Sequence, residues 1–139
     1  MYRVRVNRAQ PARLDLRLAA AGAVNAFLAV AAGAFGAHGL KERIDADLLV
    51  VFEVGARYHM VHALGLFAVA WLASRQVRGA ALAGALMLLG IVLFSGSLYA
   101  LALSGERWLG AITPIGGVAL LGAWTVAALA ALRAARDNS

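Results

Sequence analysis

The chain has 139 residues, enough for one domain, and 63% of them are hydrophobic, with a mean hydropathy of +0.78. Soluble domains carry roughly 45–50% apolar residues, so this composition excludes an ordinary water-soluble fold. The net charge of +6 comes from arginines that avoid the apolar stretches, so we expect a lipid bilayer as partner and no nucleic acid.

Four stretches without Asp, Glu, Lys or Arg follow one another at 18–40, 58–74, 79–105 and 108–132. About 20 apolar residues cross a hydrocarbon core of about 30 Å, so the first, third and fourth stretches are long enough. The second is long enough only if its helix starts at Asp45 or Asp47 as N-cap. Because a bilayer offers the backbone no hydrogen-bond partner, each stretch must be helical. The sequence therefore predicts an all-α polytopic membrane protein, an antiparallel bundle of four transmembrane helices at about 18–39, 47–74, 79–103 and 110–132.

The distribution of Lys and Arg predicts the orientation of this bundle. Nine of them fall in the basic tail 1–17, the loop after the second helix and the tail 133–139, whereas four fall on the opposite side. By the positive-inside rule, both termini and the middle loop are expected in the cytoplasm. Residues 1–17 followed by an apolar run could also be a cleaved signal peptide or, less in keeping with Asp15, a mitochondrial presequence.

Small residues recur at helical spacing on the predicted helices, which lets helix backbones approach closely in lipid. The pattern favours packing within the chain and leaves open a homo-oligomer or a partner interface. Thr113-Pro114 indicates either the start of the fourth helix, with a re-entrant loop before it, or a proline kink in a longer helix. The predicted packing positions are Gly33, Gly36, Gly90, Gly96, Pro114, Gly116 and Gly117.

Polar residues within the predicted spans gather toward one end of the bundle, and they are functional candidates because lipid penalises them. We predict either a polar chamber near the outer surface or a network of interhelical hydrogen bonds. The depth of Asn25 in the first helix sets it apart from the others. The candidate cluster is His38, Tyr58, His62, Ser95, Ser97, Tyr99 and Thr113, with Asn25, Glu53, Arg57 and His59 as secondary candidates.

Catalytic and metal-binding motifs are sparse. One set of side chains could hold a metal or haem: His59 and His62, with His38 from the neighbouring helix. No cysteine or well-placed carboxylate completes this set. No nucleophile elbow, zinc-protease motif, phosphate loop or dinucleotide fingerprint occurs. We therefore expect a protein that is not an enzyme and binds no cofactor or metal.

Four motifs in order carry a family resemblance, which covers about residues 20–125. They are GAFGAHG at 33–39, ARYHMVHAL at 56–64, FSGSLY at 94–99 and TPIGG at 113–117. They resemble the YgdD/YwdK-like family of small four-helix bacterial inner-membrane proteins of uncharacterised function. The resemblance implies a bacterial inner membrane and no established reaction, and it implies Gln as the usual residue where this chain has His59.

The leading functional hypothesis is a non-enzymatic inner-membrane protein that acts by association. It would serve as an accessory or assembly subunit, or as a homo-oligomer, through small-residue helix packing. The alternative is a binding or transport protein that holds a small ligand, an ion or haem in the outer polar cluster. Oligomeric state and bound material discriminate between these two hypotheses.

Overall fold

The computed structural model describes residues 11–137, and every regular element in that range is helical. Five α-helices are joined into four rods by π-helical and turn segments. The first rod is α1 (Pro11–Ala34) with a π-helical end (Phe35–Leu40), and the second is α2 (Ala46–Ser74). The third rod joins α3 (Ala80–Gly90), a π segment (Ile91–Ser95) and α4 (Gly96–Ser104). The fourth rod is α5 (Thr113–Asp137), preceded by a 3₁₀ turn (Arg107–Ala111).

The first and last rods extend further than the predicted spans. The first rod begins at Pro11 rather than near residue 18, so the end of the predicted basic tail is helical. The last rod continues to Asp137, beyond the predicted limit near 132. Helices commonly extend past the hydrocarbon region because water and headgroups can solvate their charged turns. Residues 1–10 of the predicted tail lie outside the described residues.

Consecutive rods pack side by side in opposite directions. Gly22 lies against Ala63 and Gly36 against Phe52, so rising numbers on α1 meet falling numbers on α2. The third rod packs between α2 and α5, and α2 packs between the first and third rods. Short connections such as 75–79 enforce this arrangement of neighbours.

The outer surface of the bundle is mostly apolar. Phe27 is 72% exposed on α1, and large aliphatic residues such as Leu121 project outward from α5. The core holds Leu66, Val69 and Met87 among many alanines. A surface of this kind is favourable against lipid and unfavourable against water.

Three rods are long and apolar enough to cross a membrane: Arg13–Leu40, Ala80–Ser104 and Arg107–Asp137. The rod α2 has 29 residues but does not meet the same criterion of hydropathy. It carries both buried histidines and packs between the first and third rods. Its lower hydropathy comes both from these covered histidines and from exposed polar residues such as Glu53 and Arg57.

The turn between α2 and α3 contains a strained residue. The Val77 amide donates to the Leu72 carbonyl and the Gln76 amide to the Ala73 carbonyl, the two bonds of a Schellman motif. The motif places its C′ residue in the left-handed region, where glycine is usual, and here Gln76 has φ of 57°. A glutamine in this conformation costs about 1 kcal/mol relative to glycine.

Candidate functional site

A chain of hydrogen bonds joins three rods through His59. Its imidazole is 7% exposed and lies on α2 with a nitrogen facing each neighbouring rod. Nε2 is 3.0 Å from Oδ1 of Asn25 on α1, and Nδ1 is 3.3 Å from the hydroxyl of Tyr99 on α4. We call Asn25, His59 and Tyr99 the relay.

The direction of each bond in the relay follows from its fixed end. Asn25 Nδ2 donates to the Ala21 carbonyl at 2.8 Å, and a carbonyl can only accept. This fixes the amide so that Oδ1 faces His59, which requires a proton on Nε2. In the neutral ring Nδ1 is then an acceptor, and the Tyr99 hydroxyl donates to it. Every polar group in the relay is thereby matched to a complementary one.

A second polar contact joins the third and fourth rods. Ser97 Oγ on α4 lies 2.8 Å from Thr113 Oγ1 at the start of α5, and it donates to the Phe94 carbonyl at 3.0 Å. Since a serine has one hydroxyl proton, Thr113 must donate to Ser97 when both bonds form. We call Ser97 and Thr113 the hydroxyl pair.

The hydroxyl pair adjoins the π segment, where the third rod departs from regular α geometry. The Gly96 amide donates back to Ile91, five residues earlier, so the backbone is locally widened. Gly116 of α5 lies directly against the Phe94 backbone at this place, and Gly90 lies against Leu120 one turn away. Short π segments often mark functional sites, and here one coincides with a backbone contact between two rods.

The α-helix of the fourth rod begins at Thr113, which agrees with the helix-start interpretation of Thr113-Pro114 and not with a kinked longer helix. The preceding residues form the 3₁₀ turn. The Thr113 hydroxyl bonds to Ser97, so it tethers two rods at the helix start. Pro114 occupies the first turn, where its missing amide proton costs nothing.

His62 and Ser95 are buried close to these networks, and each has a side-chain polar atom without a hydrogen-bond partner in residues 11–137. His62 Nδ1 donates to the Tyr58 carbonyl, and its ring packs near the indole of Trp124. Its Nε2 has no hydrogen-bond partner within residues 11–137. Ser95, on the π segment, is 1% exposed, and its hydroxyl is the buried side-chain polar atom without a partner in the described part of the chain.

Other sequence-predicted candidates lie apart from these networks. His38 is exposed on the π-helical end of the first rod, and Glu53 and Arg57 are exposed on α2. Tyr58 is half-exposed and stacks on the His62 ring. No three His, Asp or Glu side chains in residues 11–137 lie close enough to hold a metal. His38, His59 and His62 therefore do not form such a group in this part of the chain.

Asn25 is the main correction to the predicted cluster, because it belongs to the relay and does not stand apart. It lies 15 residues before Leu40, and His59 lies 13 residues after Ala46. At 1.5 Å per residue both lie roughly 20 Å from the loop that joins the first two rods. Asn25 and His59 therefore both lie near the middle of the bundle, where a division into an inner and an outer half does not separate them.

The comparisons with known proteins agree on one family. A family model described as "Protein of unknown function (DUF423)" matches residues 32–117. The "UPF0382 membrane protein YwdK" of Bacillus subtilis (strain 168) is 53% identical over 114 residues, which cover 81% of this chain and 93% of that protein. The chain belongs to the UPF0382 membrane protein family. This confirms the resemblance found in the four sequence motifs.

More distant members of the UPF0382 family cover similar lengths. The "UPF0382 inner membrane protein YgdD" of Escherichia coli (strain K12) is 37% identical over 117 residues, 84% of this chain and 89% of that protein. A Haemophilus influenzae UPF0382 membrane protein is 44% identical over 102 residues, 73% of this chain and 82% of that protein. No solved structure matches the chain. The DUF423 match contains His59, Tyr99 and the hydroxyl pair, whereas Asn25 precedes it.

The predicted packing glycines of this UPF0382 chain divide into three groups. Gly36, Gly90 and Gly116 lie against neighbouring rods, and Gly117 makes ordinary contact with the Phe94 ring. Gly33 and Gly96 make no such contact with the described residues, because an added Cβ at either would meet no atom of residues 11–137 within 4 Å. The spacing of small residues could not separate the inward positions from the outward ones, since each helix carries glycines on more than one face.

Two residues near the site were missed by the sequence analysis, Trp124 and Phe94. The indole of Trp124 lies 6.2 Å from the His62 ring, and the Phe94 ring lies 4.8 Å from that of Tyr58, measured between ring centroids. Phe94 was visible in the FSGSLY motif, but its apolar side chain gave no reason to select it. Trp124 carries no local signal, because its proximity to His62 arises only from the packing of α5.

Proposed function

We propose that this protein is a non-enzymatic, four-span protein of the bacterial cytoplasmic membrane, with both termini in the cytoplasm, that acts by associating with other helices. It would be an accessory or assembly subunit, or a homo-oligomer. The excess of Lys and Arg in the chain ends and the 75–78 loop supports this orientation. The names of the relatives support the membrane, and that of YgdD supports the inner membrane.

Two features support α2 as the fourth span in spite of its lower hydropathy. Its 29 residues extend about 43 Å, more than the hydrocarbon core requires. Its outward residues are mostly large and apolar, including Val61, Leu64 and Phe67. Glu53 and Arg57 lie in the first half of α2, and long side chains of this kind can extend toward the interface.

The observation that carries the proposed association is that the interior polar residues mostly satisfy one another. The relay and the hydroxyl pair bind neighbouring rods together, as a structural network does, and each such bond contributes about 0.6–2 kcal/mol. What the bundle presents outward is apolar surface, with Gly33 among the small outward positions. A second helix can approach the backbone closely at such a glycine.

A matched pair of variants on α1 tests this proposal. Gly33→Leu adds bulk where a Cβ would meet no atom of the described residues 11–137, so it should leave folding intact and reduce association at least ten-fold. Ala23→Leu adds similar bulk on another exposed part of α1 and should leave association unchanged. Size and native mass measurements of the protein in a gentle detergent provide the readout. A wild-type protein that is strictly monomeric and free of partners would contradict the proposal.

Ser95 supports a second candidate function, the binding of a small ligand or ion in the interior. Its buried hydroxyl lacks a partner, and His62 Nε2 is also unpaired in the described part of the chain. If nothing binds, Ser95→Ala should raise the free energy of unfolding by about 1 kcal/mol, because an unpaired buried hydroxyl is costly. If a ligand binds there, the same variant should lower stability and release it. Elemental analysis, an absorbance spectrum and thermal unfolding of both proteins separate the two outcomes.

A further inference from the structure

Two adjoining clefts open at the end of the bundle that carries the turn between α2 and α3. One has a volume of about 510 Å³ and runs between Trp71 and the alanines of the last turns of α5. The other has a volume of about 520 Å³ and continues past Arg75 to Asp137. They share Arg75, Gln76, Val77 and Ala134, so together they form one groove. Each cleft falls in the size range of small-molecule sites.

The second cleft is strongly basic. Three arginines line it, Arg75, Arg78 and Arg133, against the single carboxylate of Asp137. None of the three takes part in an ion pair within residues 11–137. The opposite end of the bundle differs, because its charges are mixed and Arg107 lies 4.0 Å from Asp47. Unpaired guanidinium groups in a groove favour a ligand with phosphate oxygens, which they can bind in a bidentate manner.

The first cleft supplies an apolar wall beside these charges. Trp71 is 63% exposed at the end of α2, and small Ala131, Ala134 and Ala135 leave a shallow channel along α5. Exposed tryptophan near a helix end is typical of the headgroup level of a bilayer. The groove therefore passes from basic to apolar along the direction in which a lipid would lie.

Gln76 lies where the two clefts meet, in the left-handed conformation that glycine would adopt without strain. Strained residues that persist in a fold are concentrated at binding and catalytic sites. Its amide side chain can donate to a phosphate or glycerol oxygen from this position. A glycine here would be more stable and would remove that donor.

We propose that this groove binds the headgroup of an anionic glycerophospholipid. Arg75, Arg78 and Arg133 hold the phosphate, Gln76 contacts the headgroup, and one acyl chain lies along Trp71 and the α5 alanines. The unpaired arginines alone would suit a free phosphate. The adjoining apolar channel favours a lipid, because only a lipid has an acyl chain that can fill it. Basic pockets between helices at a membrane surface bind such headgroups elsewhere.

Native mass spectrometry of the full-length protein in mild detergent tests the proposal. The protein is mixed with equal amounts of phosphatidylglycerol and phosphatidylcholine that carry the same acyl chains. Each arginine near anionic lipid contributes a factor of about five, so the wild type should retain phosphatidylglycerol at least twenty-fold more than phosphatidylcholine. The double variant Arg75→Gln/Arg133→Gln should lose about 25-fold in retention of phosphatidylglycerol.

The double variant Lys41→Gln/Arg43→Gln removes the same charge at the opposite end of the bundle and should retain the lipid as the wild type does. Equal losses in both double variants would overturn the proposal, because they would reflect net charge alone. Displacement of phosphatidylglycerol by millimolar inorganic phosphate or glycerol phosphate would also overturn it in favour of a soluble anion. Should Arg75→Gln/Arg133→Gln fail to fold, Arg75→Lys/Arg133→Lys keeps the charges and should show a smaller loss; unchanged retention there would count against bidentate binding.

Discussion

Gly116→Ala is expected to destabilise the protein strongly, although it adds one methyl group. A Cβ at Gly116 would collide with the backbone nitrogen and Cα of Phe94 and with the carbonyl carbon of Leu93. These are main-chain atoms of the π segment, which cannot rotate away as a side chain can. Over-packing of this kind costs about 1–3 kcal/mol and sometimes more. The third and fourth rods would have to separate, which would also lengthen the bond between Ser97 and Thr113.

Gly117→Ala is the matched control on the adjacent residue. Its Cβ would lie 3.7 Å from the Phe94 ring, an ordinary van der Waals distance. Replacing glycine by alanine within a helix gains up to about 1 kcal/mol in propensity, so this variant should be neutral or stabilised. Thermal unfolding followed by circular dichroism in detergent compares the two. Equal midpoints for Gly116→Ala and Gly117→Ala would show that the rods do not approach as closely as the structure has them.

The helical rods were predictable from the sequence for a physical reason. In lipid a backbone must satisfy its own hydrogen bonds, so a long apolar stretch has one solution and its length fixes its limits. The start of α5 was predictable as one of two alternatives, because Pro114 is favourable in a first turn. The hydropathy of α2 shows the limit of this reasoning, because this helix carries both buried histidines and the exposed Glu53 and Arg57.

The site was less predictable, because it depends on the rotation of each helix about its own axis. Gly116 and Gly117 look identical in the sequence, yet a turn of 100° separates backbone contact from ordinary contact. His38 and Asn25 show the same limit, because both are polar residues of the first rod. His38 is exposed, whereas Asn25 bonds to His59 on the neighbouring helix α2.

The π segment had no usable signal in the sequence. Residues 91–95 are four apolar residues and a serine, a pattern that a regular α-helix accommodates equally well. Its i to i−5 bond lies where Gly116 of α5 packs against the Phe94 backbone, a tertiary contact that the local sequence does not reveal. The serines around it could be selected as polar residues in lipid, but their hydrogen-bond partners could not be predicted. Ser97 bonds to Phe94 and Thr113, whereas the Ser95 hydroxyl has no partner in residues 11–137.

His59→Leu is the second large effect that we expect, a loss of about 2–4 kcal/mol in the free energy of unfolding. The variant removes both bonds of the imidazole and leaves Asn25 Oδ1 and the Tyr99 hydroxyl unpaired inside the bundle. Hydrogen bonds between membrane helices contribute about 0.6–2 kcal/mol each, and an unpaired buried group adds a further penalty. Thermal unfolding in detergent or in lipid nanodiscs measures the difference.

His59→Gln separates the hydrogen bonds of His59 from its chemistry as an imidazole. A glutamine amide has both a donor and an acceptor, so it can donate to Asn25 and accept from Tyr99 in the same directions. We expect it to cost less than about 1 kcal/mol, and Tyr99→Phe, which removes one end of the relay, about 1 kcal/mol. In a double-mutant cycle His59→Leu and Tyr99→Phe should cost less together than the sum of the two, because they break a shared bond. If the two costs add fully, the 3.3 Å contact between them does not stabilise the bundle, and the relay reduces to the pair of His59 and Asn25.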